Sequence, residues 1–143
     1  MSTLEVTTAR PGGFVRAMRG LYIGFIWLFA LCLAVQFFLA GMGVFAGASW
    51  FDAHAGFAFL FEFITIILLI LSLLGRFPRA IPLYSLLLIG LFVLQYVFVE
   101  LGRGLNVLFI AAFHPVNAVA IFWVTIYVAR RAMRIVAASK QEA

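Results

Sequence analysis

Two histidines, sixty positions apart, are the residues of this chain best suited to chemistry, and each lies in an apolar run. His54 is followed four residues later by Ala58, and His114 is followed four residues later by Ala118. A histidine inside a membrane is a polar residue satisfied by helix packing, a carrier of protons, or a ligand to a metal or a tetrapyrrole. The shared spacing indicates two copies of one helical hairpin, each carrying one histidine.

For a single histidine, packing is the better interpretation. Two histidines at the same side of alternate helices favour a bound haem instead, because imidazole on both axial positions is a familiar haem ligation. The alanines that follow them leave room for a flat macrocycle. We therefore expect His54 and His114 to be the metal ligands, with Ala58 and Ala118 as cofactor-binding neighbours.

Other polar side chains repeat around the histidines. Gln36 precedes His54 by eighteen residues, and Gln95 precedes His114 by nineteen. At ~100° per residue, Thr65 and Thr125 lie about 20° from the histidine of their own helix, which predicts a polar stripe facing the bundle interior. We expect both glutamines and both threonines to tune the haem pocket.

Glu62 is the acidic residue inside an apolar span, at the predicted depth of Gln36 and Gln95. A carboxylate there is costly, so we expect it to be protonated or hydrogen-bonded by one of the glutamines. Its functional alternatives are a proton relay beneath a redox centre and the single carboxylate of a small proton-coupled transporter. The expected lack of a second buried charge and of broken helices argues against transport.

The composition of the chain indicates whether these residues lie in water or in a membrane. With 66% hydrophobic residues, 10% charged residues and a mean hydropathy of +1.19, the chain has too little polar surface for a water-soluble globule. Its apolar runs predict an all-α, four-transmembrane, up-down-up-down bundle in one membrane domain, residues 1–143, of two repeated hairpins. The predicted helices are 21–44, 52–74, 80–99 and 106–129, followed by a basic tail over 130–143.

The basic residues predict the orientation. Nine of the ten lie at the side of the termini, and Arg103 alone lies at the other side. The positive-inside rule then places both termini in the cytoplasm, which we expect to be that of a bacterial cell with this chain in its cytoplasmic membrane. The basic residues form no stripe suited to nucleic acid. Arg103, with Asn106, is a candidate partner for haem carboxylates.

The histidines and their spacing give a resemblance to a known family. His54 and His114 lie on predicted helices 2 and 4, an arrangement that resembles one four-helix half of haem A synthase, in which membrane histidines on those helices face a haem. It also resembles small four-helix membrane families with a His-Pro near the last span. The chain departs from haem A synthase in having one half, no pair of cysteines and its acidic residue in helix 2. The resemblance therefore implies a haem-holding bundle and not the oxidative chemistry.

These observations predict a small b-type cytochrome that binds one haem b through two histidines and transfers electrons. Short loops favour a carrier or a subunit over an independent enzyme. The alternatives are a non-catalytic subunit or assembly factor of a larger membrane complex, and the proton-coupled transporter that uses Glu62. The expected partners are the lipid bilayer and either other membrane subunits or a quinone.

Overall fold

The computed structural model describes residues 12–141, and all of their regular structure is helical. The helices are α1 (Gly13–Phe45), α2 (Trp50–Phe61), α3 (Ile64–Leu74), α4 (Ala80–Gly104), α5 (Leu108–Ala111) and α6 (Phe113–Gln141). Helices α2 and α3 form one span, Trp50–Leu74, and α5 and α6 form another, Leu108–Ser139. With α1 and α4 they make four spans that are long and apolar enough to cross a membrane, which confirms the predicted four-helix membrane fold.

Several helix boundaries differ from the sequence-based prediction. Helix α1 begins at Gly13 rather than at residue 21, and α4 continues to Gly104 rather than ending at residue 99. The predicted basic tail over 130–143 is helical as far as Gln141 and continues α6 without a break; residues 142–143 lie outside the described range. Arg and Ala are strong helix formers, so a loss of hydropathy does not end a helix.

The span formed by α2 and α3 is interrupted at Glu62 and Phe63. The hydroxyl of Thr65 donates to the carbonyl oxygen of Glu62 at 2.8 Å, and the Thr65 backbone N–H donates to the same oxygen at 3.1 Å. Such side-chain bonds compete with the regular helical pattern and tighten the turn.

The last span is interrupted at Ala112, three residues before Pro115. Proline lacks an N–H, and its ring collides with the carbonyl group four residues earlier, here that of Ala111. The helix therefore restarts at Phe113, where proline falls in the first turn and is tolerated. The expected lack of broken helices was wrong at Glu62, whereas Pro115 accounts for the break at Ala112.

Helix α1 packs against α2, α3 and α6, while α4 packs against α3, α5 and α6. The core between them is apolar and aromatic, with Tyr22, Phe29, Leu68, Leu88 and Val128 among its buried members. The outer surface is also apolar, as in Leu60, which is 73% exposed, and Trp123, which is 75% exposed. An apolar exterior around an equally apolar core is the pattern expected of helices surrounded by lipid.

In both hairpins a glycine near the histidine end of the bundle allows close contact with the next helix. A Cβ atom added to Gly43 would lie 2.7 Å from the ring of Phe51, and one added to Gly102 would lie 2.7 Å from the backbone nitrogen of Ala111. In the turn that follows α4, Asn106 has φ 54°. The N–H of Val107 donates to the carbonyl oxygen of Gly102 at 2.9 Å. This is the left-handed C-terminal motif that glycine or asparagine favours.

Candidate functional site: a histidine-lined cavity

His54, on α2, and His114, on α6, face each other near one end of the bundle. Their ring centres are 6.1 Å apart, and the ring planes meet at 64°. Both side chains are half-buried. The up-down order of the helices brings the two residues to one level, as the sequence predicted from their common offset.

Each histidine is oriented by a backbone carbonyl group of the preceding long helix. The Nδ1 atom of His54 lies 3.1 Å from the carbonyl oxygen of Gln36, and that of His114 lies 3.3 Å from the carbonyl oxygen of Gln95. A carbonyl oxygen only accepts, so the proton of each neutral ring sits on Nδ1. The lone pair of each Nε2 is then available to a ligand, which is the arrangement typical of metal-binding histidines.

A cavity of about 630 Å³ is lined by both histidines. This volume lies within the range of ~300–1,000 Å³ usual for small-molecule and cofactor sites. Most of its wall is apolar, and Ala58 and Ala118 line it as the sequence predicted. The lining also includes Gln36, Gln95, Phe61, Phe92, Tyr96 and Arg103.

The two threonines take another position. Thr65 is 3% exposed and Thr125 is fully buried, so the predicted stripe does face the bundle interior. Their hydroxyl groups donate to backbone oxygens within their own spans, Thr65 to Glu62 and Thr125 to Ile121 at 2.7 Å. Neither residue lines the cavity, so an influence of the threonines on the pocket would have to act through the residues that do line it.

The two glutamines are equivalent in position and different in bonding. Gln36 is 8% exposed; its Nε2 donates to the carbonyl oxygen of His54 at 2.9 Å, and its Oε1 is buried with no partner in the part of the chain that the structure describes. The Oε1 of Gln95 accepts instead from the Nδ2 of Asn117 at 2.7 Å. The glutamine beside His54 is therefore seen as a hydrogen-bond donor, and the glutamine beside His114 as an acceptor.

Asn117, which the sequence reasoning missed, does not line the cavity but bonds to Gln95, which does. Asn117 is 7% exposed, and its Nδ2 also donates to the carbonyl oxygen of Leu91 at 2.8 Å. It follows His114 by three positions, which places both side chains on one helix face. This three-residue spacing could have indicated from the sequence that Asn117 lies beside His114.

Glu62 bonds to a residue that the sequence analysis did not consider. The hydroxyl group of Tyr96 donates to Glu62 Oε2 at 2.6 Å. The expectation that Gln36 or Gln95 would bond Glu62 was wrong, because those amides are used beside the histidines. Tyr96 lines the cavity, while Glu62 lies behind it.

The mouth of the cavity carries its charged groups. Glu100 and Arg103, one helical turn apart on α4, are exposed and line the cavity, as do the exposed Val44 and Phe51. Arg103 was expected to bind an acidic group of a cofactor, and it does line the cavity in which such a cofactor would lie. Asn106 lies beyond the end of α4 and does not line the cavity.

The separation of the two imidazole rings is close to that of two rings bound to one metal ion. Imidazole nitrogens at ~2 Å from a metal place each ring centre about 3 Å away, so two rings on opposite sides of one ion have centres about 6 Å apart. The observed 6.1 Å agrees with this spacing. Within residues 12–141 there is no group of three or more His, Cys, Asp or Glu residues that could hold a metal ion.

Fold and site together define a four-helix membrane bundle with a paired-histidine cavity. Residues 36–102 match a family of unknown function (DUF6220), a segment that includes Gln36, His54, Glu62 and Gln95 and ends before His114. No curated protein and no solved structure matches the chain.

Proposed function

We propose that this chain is a small membrane cytochrome that binds one b-type haem between His54 and His114 and serves electron transfer. The observation that carries the proposal is the pair of Nδ1 contacts to the carbonyl oxygens of Gln36 and Gln95, 3.1 and 3.3 Å long. Each contact fixes the tautomer and the rotation of its ring. Two rings held in this way across one cavity have the chemistry of axial ligands.

The surroundings support the same proposal. Ala58 and Ala118 keep the cavity open beside the ligands, and Phe61 and Phe92 supply apolar walls that exclude water. Arg103, at the mouth, would bind the haem carboxylates by charge-assisted hydrogen bonds. His54 and His114 would together hold the haem, which would supply one-electron chemistry when bound.

The decisive experiment is the dithionite-reduced difference spectrum of the purified protein from cells with adequate haem. We expect a b-type signal in the wild type and its loss in His54→Ala and in His114→Ala. Added imidazole should restore it in both variants, because a free ring can occupy the vacated space. Leu108→Ala is the matched control, since Leu108 is 75% exposed and does not line the cavity.

A colourless wild-type protein, or a signal indifferent to both substitutions, would reject the cytochrome. Carbon monoxide gives a second criterion, because a six-coordinate haem leaves it no position. The wild-type spectrum should not change with the gas. A wild-type spectrum that shifts with carbon monoxide would show an open iron and contradict ligation by both histidines.

The break at Glu62 supports a second candidate, a small proton-coupled transporter. Interrupted helices form the substrate and ion sites of many transporters, and here the interruption coincides with the carboxyl group. The test is proton entry into dye-loaded vesicles on addition of a panel of small amines and carboxylates. Proton entry that is lost in Glu62→Gln would favour transport; no proton entry in the wild type would remove it.

Orientation is part of the proposal. Arg16, Arg19, Arg76 and Arg79 lie at the end of the bundle that carries the termini, and Arg103 lies at the histidine end. We place both termini in the cytoplasm of a bacterial cell and the histidine cavity toward the opposite face. The haem would then lie close to an electron partner outside that membrane.

A further inference from the structure

Glu62 and Tyr96 form a polar pair that connects the cavity with the lipid-facing surface. The Tyr96 hydroxyl group donates to Glu62 Oε2 at 2.6 Å. Tyr96 lines the cavity and is also 44% exposed, and Glu62 is half-buried. Carboxyl groups inside membrane spans are expensive and mark functional sites by default.

The surroundings of the pair restrict what can reach it. Phe59, Leu60 and Phe63, next to Glu62 in the chain, are 64%, 73% and 52% exposed. A molecule that approaches Glu62 from this side must therefore dissolve in the bilayer. Small water-soluble ligands are disfavoured at such a surface.

The cavity wall beside Tyr96 is aromatic, and its members Phe61 and Phe92 are buried. The ring of Phe92 lies 6.2 Å from that of Tyr96, and it meets Phe61 edge to face at 5.7 Å. Aromatic walls of this kind favour a flat ring, which gains from offset or edge contacts beyond its buried area.

The hydrogen-bonding capacity defines the rest of the ligand. Tyr96 bonds to one carboxyl oxygen of Glu62, and a carboxylate can accept further donors through its other oxygen. The Tyr96 oxygen can accept a bond in addition to the one that it donates. The pair is thus complementary to a ring that carries a hydroxyl donor.

The geometry points to Glu62 and Tyr96 as a docking site for a lipid-soluble hydroquinone. Its hydroxyl group donates to Glu62, its ring contacts the aromatic wall, and its tail stays in the lipid beside Phe59 and Phe63. If a one-electron acceptor such as the proposed haem takes an electron from the hydroquinone, Glu62 is the carboxyl group placed to take the hydroxyl proton. Docking does not require a haem in the cavity, although the site gains a redox role only together with the proposed function.

The test is photolabelling of the full chain in proteoliposomes with an azido-benzoquinol, in competition with decylubiquinol, followed by peptide mapping. We expect competed label in the peptides around Glu62 and Tyr96. Glu62→Gln should reduce that label at least fivefold, and Glu62→Asp should retain part of it, because the carboxyl group remains. Asp52→Asn, at an exposed acidic residue that does not line the cavity, is the matched control and should label as the wild type does.

Equal labelling of Glu62→Gln and the wild type would overturn the site. So would label spread evenly over exposed residues such as Trp123, because that pattern reports only partitioning into lipid. The haem spectrum is recorded on the same samples. Competed label at Glu62 in a colourless protein would keep the docking site and remove the cytochrome, whereas a haem signal without competed label would do the reverse.

Discussion

The Nδ1 atom of His54 lies 3.1 Å from the backbone carbonyl oxygen of Gln36, on the helix that precedes it. The side chain of Gln36 returns the contact, because its Nε2 donates to the carbonyl oxygen of His54 at 2.9 Å. One residue thus orients the imidazole through its backbone and ties the two helices together through its amide. Only the second role depends on the identity of the side chain.

Gln36→Leu should therefore preserve the orientation of His54. We expect the b-type spectrum to remain, with a small change in thermal stability, because the substitution also removes an acceptor that is buried without a partner among the described residues. The measurement is the haem content per protein beside that of His54→Ala. Loss of haem from Gln36→Leu equal to that from His54→Ala would contradict this division of roles.

Gln95→Leu should be more harmful than Gln36→Leu, because it leaves Asn117 without one acceptor. A double-mutant cycle of Gln95→Leu and Asn117→Ala in mild detergent measures the pair. We expect a coupling energy of about 0.5–1.7 kcal/mol, the range of hydrogen bonds between membrane helices. Val116→Ala is the control, since Val116 is 63% exposed. Additive effects would show that the 2.7 Å contact contributes nothing.

Gly102→Ala should destabilise the second hairpin by about 1–3 kcal/mol, as overpacking does. The new Cβ atom would lie 2.7 Å from the backbone nitrogen of Ala111, and backbone cannot rotate away as a side chain can. Gly104→Ala is the matched control, because nothing lies within 4 Å of its added Cβ atom. Unfolding in detergent compares the two, and equal stability would refute the close approach.

Arg19→Ala should loosen the turn between α3 and α4. The Nε atom of Arg19 donates to the carbonyl oxygen of Gly75 at 2.9 Å, and its guanidinium carbon lies 5.3 Å from the ring centre of Phe77. We expect a loss of about 1–3 kcal/mol, with partial recovery in Arg19→Lys, because ammonium lacks the planar fork. Limited proteolysis of this turn is the readout, and the exposed Arg16, substituted by alanine, is the control. Equal cleavage of Arg19→Ala and the wild type would reject the contact.

The proposed topology predicts the behaviour of reporter fusions. A fluorescent protein fused after Ala143 should be bright in bacterial cells, and alkaline phosphatase there should be inactive, since both report a cytoplasmic C-terminus. Replacing Arg130, Arg131 and Arg134 by alanine should weaken that preference, because these charges dominate the last span. An active phosphatase at the C-terminus of the unaltered chain would invert the topology.

The fold class could be predicted from the sequence because it depends on hydropathy along the chain. Four long apolar runs separated by short turns leave a helix bundle as the available solution, since backbone groups in lipid must bond within their own helix. The up-down order then places His54 and His114 at the same end. The pairing of these two residues needed nothing beyond chain order and helix length.

The tertiary structure alone decided which atoms meet inside the bundle. In this chain most core-facing and most lipid-facing residues are apolar, so the sequence gives the rotation of a helix only roughly, where a polar stripe marks its inner face. For that reason the bond from Tyr96 to Glu62 and the bond from Asn117 to Gln95 were not predicted. The helix break at Glu62 was not predicted for a related reason, because it involves one hydroxyl bond that average hydropathy does not contain. The break at Ala112 differs, since the proline that causes it is visible in the sequence.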